Sequence, residues 1–257
     1  DTGTIHIVAL SGYNVTLISE WIMKLFSVFP MNIGLSAGIF TILLFVLMTG
    51  ASSTAIRAGT MASLALFARI INRNYDVSRA LILAGVLMVL INPFILVFDI
   101  SFQLSFIATV AVIYLSPKIE KYFLWMPKFF GLRDIVSVTA SAYIFVLPFI
   151  IYKMGNLSLV ALPANILILP FIQPTMIIGF LTGFLGSISH LLSAPFGFIS
   201  YLFLHYELFV VNTLAEVPFA SIVIPNFPLF IIILIYIYFI YRLFGRSIKS
   251  FFQLSPS

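Results

Sequence analysis

Cysteine is absent from the 257 residues, charged residues make up only 8% of them, and tryptophan occurs twice. Without cysteine there are no disulfides and no thiolate-held metals. A charged share this far below the roughly 25% of soluble domains removes the solvated surface a globule needs. The three histidines, His6, His190 and His205, lie far apart; no H-E-x-x-H is present and no G-x-S-x-G follows a strand. Glycine-rich phosphate loops are missing as well, which argues against a nucleotide-driven motor in this chain. No catalytic residue, metal ligand or cofactor is therefore expected, and ordinary soluble-enzyme chemistry has no foothold.

What is present is hydrophobic: 62% of the residues, with stretches free of Asp, Glu, Lys and Arg at 25–56, 80–98, 100–117, 135–152, 154–206 and 217–241. Each is about the ~20 residues that cross the hydrocarbon of a bilayer, or a multiple of that. A backbone in lipid must satisfy its own hydrogen bonds, and the runs lack the period-2 polar alternation of a barrel, so they are predicted to be helices. The reading is an all-α polytopic integral membrane protein of about eight to ten transmembrane helices, some of them broken, in a single domain over 1–257. The chain opens on Asp1-Thr2-Gly3 and enters a hydrophobic segment at once, without a charged signal-peptide region, which reads as a piece of a longer protein.

Spans are expected at about Ile5 to Phe26, Ile33 to Met48, Thr54 to Ile71, a fourth ending at Asn92-Pro93, and a fifth opened by Asp99 and finishing near Ser116. A sixth ends at Tyr152, two more fill 154–206, and a last one runs from about Pro228 to Tyr241. Proline forces the break at Pro93. Pro163, Pro170 and Pro174 are expected to interrupt at least one helix, since broken backbone at membrane depth is tolerated against protein or a wet cavity. Between about 117 and 131, Ile119, Phe123, Met126 and Phe130 fall on one helical face and Lys118, Lys121 and Lys128 on the other. This pattern predicts an interfacial amphipathic helix, bent or ended by Pro127. Basic residues gather in 69–79, in 118–133 and in the C-terminal tail, which the positive-inside rule places in the cytoplasm. Nine spans then put the N-terminal end outside. The net charge of +5 is explained by this topology and does not argue for nucleic-acid binding.

Polar groups inside apolar helices are costly and so become functional candidates. Arg57 follows the small-residue turn Gly50-Ala51-Ser52-Ser53 and aims a permanent cation into the bundle or a cavity, or pairs with an acid such as Asp99. Gln103 and Ser105 sit within a span, where the Gln103 amide must bond another helix or line a wet path. Asn92 and Asn165 stand beside proline breaks, as caps or as ligands. Ser11 and Gly12 permit close packing or mark an unwound segment.

Three patches together resemble the ComEC-type competence proteins, inner-membrane channels for single-stranded DNA. The first is His6-Ile7-Val8-Ala9-Leu10-Ser11-Gly12-Tyr13-Asn14-Val15, the second Arg57-Ala58-Gly59-Thr60-Met61, and the third Asn92-Pro93 followed by Asp99-Ile100-Ser101-Phe102-Gln103-Leu104-Ser105-Phe106-Ile107-Ala108. Leu162-Pro163-Ala164-Asn165 with Pro170 is similar to a later element of that family. Asn14 stands where the signature has histidine, Thr54 where serine is usual, and Ser101 where glycine is usual. Asn14 therefore offers hydrogen bonds but no imidazole.

The resemblance implies a conduit for single-stranded DNA in the bacterial inner membrane during natural transformation, with no nuclease in this chain. The implied path residues are Arg57, Gln103, Ser105, Asn165, Asn14, Ser11, Gly12, Ser52 and Ser53; Asn92, Pro93, Asp99, Pro163 and Pro170 are expected as breaks and interhelical contacts. Implied partners are single-stranded DNA, an extracytoplasmic DNA receptor and a cytoplasmic helicase-type ATPase; composition adds the lipid bilayer, and a homo-oligomer is left open. The alternatives are a secondary transporter of a small solute and a non-transporting scaffold. A transporter wants a carboxylate in mid-membrane, and Asp99, Glu20 and Glu207 all fall near expected helix ends.

Overall fold

The structure is a computed structural model that describes residues 31–71, 73–125, 131–217, 221–224 and 227–253. The expected first span lies outside the described residues, and with it Ser11, Gly12 and Asn14.

Helix α1 (Met31–Met48) ends where Gly50 takes φ +77° and Ala51 φ 49°. Glycine accepts that left-handed backbone freely, and an alanine beside it stops the helix decisively. Ser52 then caps α2 (Ser53–Ile70), its hydroxyl accepting from the Ala55 amide at 3.3 Å. That satisfies one of the free amides of the first turn. α1 and α2 pack through Leu35, Ile42, Ala55, Ala58 and Leu66. Their approach is close because Gly59 has no side chain: a Cβ there would lie 2.6 Å from Val46 Cγ2.

Asp76 caps α3 (Val77–Ile91), accepting from the Ser78 and Arg79 amides at 2.9 and 3.1 Å. Asn92-Pro93 ends it as expected, with Asn92 Oδ1 accepting from the Phe94 amide at 3.1 Å. A one-turn helix α4 (Ile95–Phe98) follows, and Asp99 caps α5 (Ile100–Tyr114) by accepting from the Phe102 amide at 3.0 Å. α5 bends by 45° into α6 (Ser116–Glu120) and a 3₁₀ turn, Lys121–Phe123. Regular structure in the expected 117–131 amphipathic segment thus stops at Phe123 among the described residues, so one α turn and one 3₁₀ turn stand where a longer helix was expected. Residues 126–130, including Pro127, lie outside the described residues.

α7 (Leu132–Met154) is the hub, packing against α5, α6, α8 and α10. Asp134 in its first turn and Lys153 in its last complement the helix dipole. The chain continues through β1 (Asn156–Ser158), α8 (Ala161–Ile188), α9 (His190–Ala215), β2 (Ser221–Val223) and α10 (Leu229–Gln253). The two strands pair antiparallel, Leu157 opposite Ile222, a small ribbon the all-helical reading did not foresee.

α8 and α9 form an antiparallel pair seated through small residues: Gly179 faces Ser200, Gly186 faces Ser193, and Gly197 faces Thr182. The expected interruption at Pro163 to Pro174 does not occur, and α8 is continuous across 28 residues. Pro163 lies in the first turn, where the missing N–H has no intrahelical partner to lose. Pro170 and Pro174 each remove one backbone bond, a loss a membrane helix tolerates. The discontinuities fall instead at Asn92–Asp99 and at Leu115. Glu207 is also displaced from its expected place near a helix end: it accepts from Thr175 Oγ1 at 2.7 Å, halfway along α8. At 1.5 Å per residue that is about 20 Å from either end of α8.

Among the described residues three helices, α7, α8 and α9, are long and apolar enough to cross a membrane, with a fourth if α5 and its bent continuation form one span; Gly34–Met48, Val77–Ile91 and Leu229–Leu243 are shorter apolar helices. The protein is a helical, polytopic membrane protein. Its two ends are defined by contacts. At one, Tyr114 Oη donates to Ser78 Oγ at 3.0 Å, Arg133 Nη2 pairs with Glu120 at 2.9 Å, and Lys118 Nζ donates to the Leu243 carbonyl at 3.1 Å. At the other stand the ribbon and the starts of α2 and α5. Arg73, Arg79, Lys118, Lys121 and Arg133 all gather at the first end.

Candidate functional site

The starts of α2 and α5 lie side by side and parallel, joined by two polar contacts one helical turn apart. Ser53 Oγ donates to Asp99 Oδ2, and Arg57 Nε donates to Ser105 Oγ. Asp99 uses its other oxygen as the cap of α5, so both oxygens accept bonds from neighbouring groups. The expected alternative, an Arg57–Asp99 ion pair, does not form. Among the described residues Arg57 has no carboxylate partner within ion-pair distance; its only other contact is Nη1 to Met61 Sδ at 3.7 Å. Arg57 is half-buried, and most of its five donors have no partner among the described residues.

Gln103 sits one turn into α5 and donates Nε2 to the Leu96 and Val97 carbonyls at 2.7 and 3.0 Å. It thereby closes the end of α4 and fixes the α4–α5 corner. Two donated bonds set the amide's orientation, leaving Oε1 as a buried acceptor with no partner among the described residues. An orphaned buried acceptor costs about 1–3 kcal/mol unless water or a ligand meets it. Beside this corner is an open depression of about 450 Å³ lined by Asn92, Phe94, Ile95, Phe98, Asp99, Ile100 and Ser101.

The structure therefore brings together Ser52, Ser53, Arg57, Asn92, Pro93, Asp99, Gln103 and Ser105. It does not bring Asn165, Pro163 or Pro170 to this cluster; they belong to α8. Asn165 Oδ1 is itself buried without a partner among the described residues. Met61 and Ser101, named in the sequence only as parts of the family patches, and the Thr175–Glu207 contact are not among the residues the sequence assigned to a site. Ser101 could have been found by its place two residues after the capping Asp99. From the segment that follows α2, Tyr75 Oη reaches back to donate to the Met61 carbonyl, midway along the helix, at 3.3 Å. Burial, and behind it the Asp76 carboxylate, raise the Tyr75 phenol above its usual range, so it remains a donor.

The class so defined is a polytopic helical membrane domain with an arginine that has no carboxylate partner among the described residues, held at one end of the bundle. The sequence profile of the competence protein family matches residues 1–248, and the chain belongs to that family. It is 26% identical over 236 residues to ComE operon protein 3 of Bacillus subtilis (strain 168), an alignment covering 87% of this chain and 28% of that protein. The chain thus spans little more than a quarter of that relative's length. No solved structure matches.

Proposed function

We propose that this chain passes single-stranded DNA across the bacterial inner membrane during natural transformation, translocating rather than catalysing. The observation that carries the reading is Arg57: a permanent cation inside the bundle, held by a neutral hydroxyl instead of an acid. A cation neutralised by a carboxylate has little attraction left for phosphate, whereas one positioned by Ser105 keeps its field and its donors. A single such group suits a moving polyanion, because several tight sites in series would stall it. The unpartnered acceptors of Gln103 and Asn165 fit the same wet route, as do the hydroxyls of Ser52 and Ser53, and Ser11, Gly12 and Asn14 are assigned to it through the family resemblance. Membership of the competence family supports the process.

The basic end with Arg73, Arg79, Lys118, Lys121 and Arg133 faces the cytoplasm under the positive-inside rule. Arg57 then stands near the external mouth, the C-terminal helix ends inside, and the N-terminal end lies outside. Capture of DNA by an external receptor and pulling by a cytoplasmic helicase-type ATPase complete the scheme. The test is transformation by Arg57→Ala and Arg57→Lys variants at matched membrane abundance. Alanine is expected to reduce uptake at least tenfold and lysine to retain part of it; normal transformation by the alanine variant rejects the assignment.

One observation favours the second reading, a secondary transporter: Glu207, on α9, is a carboxylate that meets α8 halfway along its length. Its sole charge-bearing role among the described contacts is a bond to Thr175, and an ion-coupled solute cycle would require that carboxyl to bind and release its ion.

A further inference from the structure

We propose that the depression at the α3–α4–α5 corner is a stacking platform for the bases of the translocating strand, with Phe94 and Phe98 as its rings. The inference rests on the conduit reading and names what the strand meets at its mouth. Phe94, the N-cap of α4, and Phe98, its last residue, are 69% and 76% exposed, lie one helical turn apart, and both line the depression. Their centroids lie 6.3 Å apart at 46°, too close and too tilted to admit a base between them, so each ring offers one face. Every nucleobase has a π-face, and stacking on aromatic side chains holds single strands without reading sequence.

The polar lining decides between a base and a lipid tail as occupant. Asn92 spends Oδ1 on the Phe94 amide, and its Nδ2 donors have no protein partner among the described residues; neither has the Ser101 hydroxyl. Both would be desolvated without compensation under an acyl chain, but suit the ring nitrogens and carbonyls at a base edge. Asp99 keeps its negative charge, because the donors its oxygens accept from, Ser53 and Phe102, are neutral, so the strand meets this lining with base edges and turns its phosphates away from it. Asp99 also links this depression to the Arg57 cluster. A strand with bases on Phe94 and Phe98 would thus bring its phosphates toward the guanidinium.

The experiment uses the full chain in nanodiscs and two fluorescent probes of equal length and charge, an oligothymidylate and an abasic oligodeoxynucleotide. Affinities for both are measured by anisotropy in wild type and in Phe94→Leu/Phe98→Leu, which keeps the apolar bulk and removes the rings. The wild type is expected to bind the thymidylate at least about fivefold more tightly than the abasic strand, with the preference lost in the double variant. Equal affinity for the two probes overturns the platform and leaves the conduit reading standing. Binding of neither probe overturns the conduit reading and the platform with it. An unchanged preference in the double variant assigns the rings to the lipid interface and overturns the platform.

Discussion

Ser53 donates its hydroxyl to the Asp99 carboxylate across the α2–α5 contact, one helical turn from the point where Arg57 reaches Ser105. The same carboxylate caps α5, so one residue sets both where that helix begins and how it registers against α2. Asp99→Ala removes a cap, about 1 kcal/mol, together with a hydrogen bond to a charged group, about 1.5–3 kcal/mol. Ser53→Ala removes the second only. Thermal unfolding in detergent is expected to rank Asp99→Ala as the more destabilising, and the double variant to show a coupling of at least about 0.5 kcal/mol. Strict additivity would mean that the two residues do not depend on each other.

Gly59 carries the closest approach in the first helix pair. A methyl group there would fall 2.6 Å from Val46 Cγ2 and 3.3 Å from Ile42 Cγ2, inside contact distance of a buried, branched side chain. Gly59→Ala is therefore expected to destabilise by about 1–3 kcal/mol despite alanine's better helix propensity. Val46→Ala in the same chain makes room for the methyl and should recover part of the loss. If the Gly59→Ala protein melts at or above the wild-type temperature, the helices are not in contact at this position.

The parts legible in sequence were those decided locally. Asn92-Pro93 ends one helix and Asp99 starts another because a missing N–H and a capping carboxylate act within a turn. The partner of Asp99 was not legible, since Ser53 lies 46 residues away and Arg57 offered the stronger charge argument. The prolines of α8 misled because their effect depends on whether neighbouring groups absorb one lost bond. Glu207 was misplaced for a related reason: the 154–206 interval has no charge to mark where a span stops. Three-residue strands such as β1 and β2 carry too little alternation to be seen at all.

Glu207 separates the two functional readings directly. If its carboxyl serves only as an interhelical contact, Glu207→Gln keeps an acceptor for Thr175 and should leave both melting and transformation near wild type. Glu207→Leu should cost about 0.6 kcal/mol, the average of such bonds within membranes. A loss of transport at normal membrane abundance in Glu207→Gln would favour ion coupling and count against the conduit.

The arrangement of the two ends makes a prediction about sidedness that the absence of cysteine makes easy to test, because any introduced thiol is unique. Tyr122 follows α6 and is 80% exposed, while Leu159 follows β1 and is 51% exposed. Between them runs α7, 23 residues or about 34 Å at 1.5 Å per residue, enough to separate two aqueous faces. Arg73 belongs with Tyr122, since Ser78 at the start of α3 touches Tyr114 at the end of α5. Val223 belongs with Leu159 through the strand pairing. With a membrane-impermeant maleimide on intact spheroplasts, Leu159→Cys and Val223→Cys should label at once. Arg73→Cys and Tyr122→Cys should label only after the membrane is opened. The reverse pattern would keep the fold but invert its orientation, moving Arg57 to the cytoplasmic mouth. Labelling of Tyr122→Cys and Leu159→Cys from the same side would mean that α7 does not cross, and the bundle would have to be redrawn around a re-entrant helix.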